Sequence, residues 1–164
     1  VLHFADSLFS SRIVYEKINK NKYLYDVGSG NGFPGLVFGL LYQDINVSLL
    51  DVDQRKCECL KHMVSSLKLQ NVGVINSKIE DVIDASMDQI ITRGFAPLHR
   101  AEQLFSKPLA AGGRVFYLKS QGWESERLNK LSGWNYQVVS SYKLPYVDRS
   151  MLVLDASRVS SDQS

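Results

Sequence analysis

At 164 residues, 45% of them hydrophobic, the chain has the size of one domain with a proper core. No apolar segment approaches the length of a membrane span, and a net charge of +2 argues neither for nor against a nucleic-acid partner. Cys57 and Cys59, the only cysteines, would project about 200° apart on a helix, poorly placed to pair or to share a metal. His3, His62 and His99 show no ligand spacing, so no metal site is expected. Reduced thiols and the lack of a secretory leader point to a cytoplasmic protein. Val1 and its neighbours read as the middle of a domain, so a missing N-terminal portion is expected.

The first expected element is a helix over 6–19, capped by Asp6, with Leu8, Phe9, Ile13, Val14 and Ile18 as its apolar stripe. After a polar loop, Tyr23 to Val27 is apolar enough for a buried strand. Gly28, Gly30 and Gly32 then allow a sharp turn and a close backbone approach to a ligand. Pro34 fits the first turn of a helix over 33–42. A strand over 46–51 ends on Asp51, and a helix over 54–69 turns Cys57, Leu60, Val64 and Leu67 inward. Further strands are expected at 72–75, 89–92 and 114–119, with helices at 97–109 and 123–131. The strands 136–142 and 150–154 are joined by a loop too short for a crossover helix, so they should be antiparallel. The alternation predicts an α/β fold, a mostly parallel doubly wound sheet with a C-terminal antiparallel hairpin. The domain is expected over 1–156, with a polar tail over 157–164.

The glycine turn departs from the dinucleotide fingerprint, because its third glycine would fall at Phe33. It also lacks the Lys-Ser/Thr pair of a P-loop. A nucleoside without phosphates remains as guest. Asp51, at the tip of the second strand, is placed to accept hydrogen bonds from ribose hydroxyls; a charge at a helix N-terminus is the alternative reading. Together these features suggest S-adenosylmethionine and a Rossmann-like class I methyltransferase.

Seven blocks then resemble one family, in order and over nearly the whole chain. They are His3-Phe-Ala-Asp-Ser-Leu8, Asp26-Val-Gly-Ser-Gly-Asn-Gly-Phe-Pro-Gly35, Leu49-Leu-Asp51, Ser77-Lys-Ile-Glu-Asp81, Thr92-Arg-Gly-Phe-Ala-Pro-Leu98, Gly113-Arg-Val-Phe-Tyr-Leu-Lys-Ser-Gln121 and Asp148-Arg-Ser-Met-Leu-Val153. The chain resembles the bacterial small-subunit rRNA guanine-N7 methyltransferases of the RsmG, or GidB, type. That family usually carries further N-terminal helices ahead of the first block. Lys78 stands where it often has Arg, which keeps the charge but not the bidentate geometry.

The resemblance implies that Gly28, Phe33, Ile79, Glu80 and Arg93 contact the cofactor; the reading of the turn and the strand end adds Gly30 and Asp51. Glu80 has a surface-acid reading beside this one. Arg93, after a buried strand, suits the cofactor's carboxylate or an RNA phosphate; a structural ion pair with an acid such as Asp26 is the other reading. Lys119, Arg149 and Lys78, with Lys61, are implied to position substrate. Arg55, Lys56, Arg100 and Lys107 would widen a basic surface or simply be solvated charge. Guanine N7 carries a lone pair and no proton, so no general base is expected. The implied partner is 16S rRNA or the small ribosomal subunit, bound by a monomer, with the target base splayed from its stack. Methylation of a small molecule or protein, or a non-catalytic RNA-binding module that keeps the fold, are the rival readings.

Overall fold

A computed structural model describes residues 2–126, 133–144, 148 and 150–159. The elements are α1 (Leu2–Tyr15), β1 (Leu24–Val27), α2 (Gly35–Leu41), β2 (Val47–Asp51), α3 (Gln54–Ser66), β3 (Val72–Asn76), β4 (Met87–Arg93), α4 (Leu98–Phe105), β5 (Leu109–Ser120), β6 (Trp134–Lys143) and β7 (Ser150–Arg158). Short 3-10 helices lie at Ile79–Asp81 and Trp123–Glu126. One seven-stranded sheet runs β3-β2-β1-β4-β5-β7-β6. The strands β1 to β5 are parallel to their neighbours, and β7 is antiparallel to both β5 and β6. The parallel sheet and its terminal hairpin are those expected.

Side chains on a strand alternate between faces, and here both faces are covered. One apolar cluster takes Leu50, Ile90, Val115 and Leu154 with Phe105 of α4 and Trp123. The other takes their neighbours Leu49, Ile91, Phe116 and Val153 with Val14 of α1, Phe38 of α2 and Leu60 of α3. The strand order reverses between β1 and β4, which opens the carboxyl edge of the sheet to a ligand at that point.

Several elements differ from expectation. Helix α1 begins at Leu2, so Asp6 is not its cap but a buried mid-helix residue. The buried face of α1 is Asp6, Ser7, Ser10, Ser11 and Val14, while Leu8 and Phe9 are exposed. The serines tolerate burial because their hydroxyls donate to carbonyls of their own helix, Ser7 to His3 and Ser10 to Asp6, each at 2.7 Å. Helix α2 opens at Gly35, with Pro34 at its N-cap. Helix α3 stops at Ser66, and Lys68 adopts a left-handed φ of 55°, so the chain reverses and Leu69, not Leu67, is buried. Helix α4 ends at Phe105; Pro108 cannot continue it, and Leu109 already pairs with Met87 as β5 begins. The expected helix at 123–131 is a 3-10 turn over Trp123–Glu126, and residues 127–131 lie outside those described. Strand β7 continues through Ser157 and Arg158, two residues into the expected tail.

Candidate active site: two cavities meeting at Gly94

The turn after β1 is held by backbone and carboxylate together. Gly28 and Ser29 donate their N–H groups to the carbonyl of Leu50, at 2.9 and 3.1 Å. Gly30 donates to Asp51 Oδ2 at 2.8 Å, and Asp53 donates to Asp51 Oδ1 at 2.9 Å. Asp51 is buried, and both its oxygens shape the loop ends that face the ligand edge. The helix-terminus alternative falls to its neighbour, since Asp53 caps α3 by accepting from Arg55 and Lys56. A carboxylate has about four acceptor positions, so Asp51 keeps capacity for a ligand hydroxyl. Asp51→Asn retains only one of the two anchors and turns an amide donor toward the other N–H. It is expected to cost about 1–3 kcal/mol, read as a lower urea midpoint at unchanged slope.

Gly28 has φ +75°, and a Cβ there would lie 2.8 Å from Phe95 Cδ2. Only glycine serves at this position. Phe95 stacks in turn on Phe105, with ring centroids 5.5 Å apart. Between the glycine turn and Phe95 lies a cavity of about 650 Å³, also lined by Asp51, Lys78, Ile79 and Glu80. The cavity therefore gathers six of the residues expected to meet cofactor or substrate: Gly28, Gly30, Asp51, Lys78, Ile79 and Glu80. Lys56 and Arg100 also reach it.

A second cavity, of about 590 Å³, lies beside the first, and Gly94 lines both. It holds Arg93 and Lys119, with Asp6 of α1 and Glu126 of the 3-10 turn. Arg93 Nη1 pairs with Asp6 Oδ2 at 3.3 Å, and Tyr142 Oη donates to Asp6 Oδ1 at 2.5 Å. The structural partner of Arg93 is thus Asp6 rather than Asp26. Burial first, and then the Asp6 carboxylate, push the Tyr142 phenol far above its ordinary range, so it stays a donor. Lys119 Nζ donates to Glu126 Oε2 at 2.5 Å, and the same oxygen accepts from Leu98 N–H at 3.1 Å.

Not every expected residue arrives. Phe33 is half-buried and meets the ring of Phe4 edge-on, with centroids 6.5 Å apart; it lines neither cavity. Lys61 lies elsewhere, beside Val64 and Lys68, and Lys107 pairs with Asp84 at 3.3 Å. Arg149 lies outside the described residues. Phe95, Asp6 and Glu126 were not singled out from the sequence as site residues. Phe95 had a signal, since it belongs to the Arg-Gly-Phe-Ala block. Asp6 had its family block, without a role. Glu126 had none. Among the described residues no cluster of His, Cys, Asp and Glu could hold a metal ion, and no helix is long and apolar enough to cross a membrane.

The sheet order, the terminal hairpin and a glycine turn facing a strand-end acid define a Rossmann-like class I methyltransferase fold. An S-adenosylmethionine-dependent methyltransferase from Aquifex aeolicus shares it with a TM-score of 0.68 at 16% identity, over 92% of this chain and 90% of that one. Residues 1–152 match the family described as rRNA small subunit methyltransferase G, and the chain belongs to that family. It is 40% identical over 148 residues to ribosomal RNA small subunit methyltransferase G 3 of Bdellovibrio bacteriovorus, covering 88% of this chain and 67% of that protein. It is 34% identical over 127 residues to ribosomal RNA small subunit methyltransferase G of Ruthia magnifica subsp. Calyptogena magnifica, covering 77% of this chain and 60% of that protein. The chain thus spans about two thirds of the length of these relatives.

Proposed function

We propose that the chain binds S-adenosylmethionine and methylates N7 of a guanine in small-subunit (16S) ribosomal RNA, as a cytoplasmic monomer. The observation that carries this reading is the pair of cavities meeting at Gly94, one lined by the glycine turn and Asp51, the other by Arg93 and Lys119, each held by an acid. The first cavity fits the cofactor on its own geometry. Its floor at Gly28 admits no Cβ, and the strand-end carboxylate of Asp51 keeps acceptor capacity for ribose. Ile79 and Phe95 give apolar walls for a purine.

S-adenosylmethionine supplies an electrophilic methyl group. Held by Gly28, Asp51, Ile79 and Phe95, it would supply that methyl to the lone pair of guanine N7, its sulfur keeping the electrons of the C–S bond and the purine taking up the positive charge. No proton moves, so the chain's residues need only hold two partners in line across Gly94. Asp6 holds Arg93 and Glu126 holds Lys119 within the second cavity, where RNA phosphate and base edge would meet them.

The test is methyl transfer from labelled S-adenosylmethionine to small ribosomal subunits lacking their N7-methylguanine. Label on one guanine N7, with affinity falling steeply as salt rises, supports the reading. Tight cofactor binding with transfer to a protein or small molecule, and none to RNA, replaces it. No cofactor binding overturns it.

A further inference from the structure

The second cavity holds two acids, Asp6 and Glu126, and they are not equivalent. Both carboxylate oxygens of Asp6 are engaged, Oδ2 by Arg93 and Oδ1 by Tyr142. Both bonds to the Glu126 carboxylate fall on Oε2, from Lys119 and from Leu98 N–H; among the described residues none falls on Oε1. Lys119 is similarly half-committed. Its ammonium donates to Glu126 and, at 3.4 Å, to the carbonyl of Ala96, leaving one of its three N–H groups without a partner among the described residues. The pair is sheltered, with 12% of the Lys119 side chain and 33% of the Glu126 side chain exposed. It is also braced from behind: the Glu126 carbonyl lies 3.1 Å from His99 Nδ1, so the 3-10 turn is tied to the start of α4 at two points.

The cavity wall therefore presents one free donor next to one free acceptor, beside the junction with the cofactor cavity. Guanine presents the complement. Around its edge run N7, the O6 acceptor, the N1–H donor and the 2-amino donor. We propose that Lys119 and Glu126 together read the target base as guanine, an inference that rests on the function proposed above. Lys119 donates to O6, and Glu126 Oε1, with two acceptor positions of its own, takes N1–H and the 2-amino group, which leaves N7 unpaired and turned toward Gly94. Adenine in the same seat would set its amino group against the ammonium and its N1 lone pair against the carboxylate. Both contacts repel, and a sheltered polar site left unpaired disfavours the wrong base. Glu126 is on this account a specificity residue rather than only a brace for Lys119.

The test compares small subunits reconstituted with guanosine or inosine at the methylated position, because inosine lacks only the 2-amino group. Single-turnover transfer by the wild-type chain should be roughly ten- to a hundredfold slower on inosine, the loss of one hydrogen bond to a charged group. Glu126→Ala should slow transfer to guanosine and shrink the guanosine-to-inosine ratio toward the intrinsic difference between the two N7 atoms. Glu126→Gln, which keeps the shape of the turn, should shrink it partly. A ratio that is unchanged in both variants would mean that Glu126 only holds Lys119, and would overturn the proposal. So would a wild-type chain that does not distinguish the two bases. Cofactor binding without transfer to guanosine overturns the underlying rRNA reading instead, and this inference with it.

Discussion

Arg93→Ala should cost about 3 kcal/mol of folding stability as well as methyl transfer. The stability loss follows from Asp6, which sits mid-helix in α1 with 4% of its side chain exposed and its ion-pair partner 3.3 Å away. Removing one member of a buried pair strands the other, at about 3–5 kcal/mol. The lower end applies because 19% of the Arg93 side chain is exposed, which lets solvent take up part of the charge, and because Tyr142 still donates to Asp6. The two effects separate cleanly. Asp6→Asn combined with Arg93→Ala removes the stranded charge and should recover most of the lost urea midpoint. Transfer should stay absent in the double variant, since among the described residues no guanidinium remains in the second cavity. Arg93→Lys should hold stability to within about 1 kcal/mol while losing the planar fork. Single and double variants of equal stability would show that Arg93 does not compensate Asp6.

The arrangement around Arg93 also shows what the sequence could and could not disclose. The parallel strands are legible because runs such as Val47 to Asp51 are buried along their whole length, and Val47, Leu49 and Leu50 leave a mostly apolar signature despite Ser48 and Asp51. The glycine turn and Asp51 were legible because local conformation and strand-end position demand those residue types. Helix α1 was misread because its inward face is made of serines, whose hydroxyls are satisfied within the helix. Hydropathy scores them as outward-facing. Of its expected stripe, Ile13, Val14 and Ile18 reach the second apolar cluster, whereas Leu8 and Phe9 are exposed, as is Phe4, so periodicity holds only toward the C-terminal end. The partners of the cations were out of reach for a different reason. Asp6 is 87 residues from Arg93 in sequence, and Glu126 meets Leu98 only because a 3-10 turn folds back on α4. Phe33 shows the converse: a motif residue whose side chain turns away to Phe4.

A second large effect is expected from Asp26, and it is a pH dependence. Asp26 follows the first two residues of β1 and is wholly buried; Oδ2 accepts from Gly35 N–H at 2.8 Å, and Oδ1 has no partner among the described residues. Gly35 has to be glycine for this contact, because a Cβ would lie 2.6 Å from Asp26 Oδ2 and 2.5 Å from Leu49 Cδ2. Burial pushes the Asp26 carboxyl up to about 7 from an ordinary 3.8, against the opposing pull of the Gly35 N–H and the Arg93 charge. In the unfolded chain the group ionises near the ordinary value, so between these limits the folded state holds the extra proton. The Asp26 contribution to stability should then fall as pH rises from about 4, and level off above about 7. A displacement of that size is worth roughly 4 kcal/mol. Urea unfolding at pH 5 and pH 8 should show the wild-type chain weaker at the higher pH, with the carboxylate desolvated and one oxygen unmatched. Asp26→Asn keeps an acceptor for Gly35 N–H and carries no charge, so this part of the slope should vanish. It should be the more stable protein at pH 8 and lose that advantage at pH 5. A wild-type profile that rises between those two pH values would mean that Asp26 is ionised in the fold, its charge carried by Arg93 across the glycine turn.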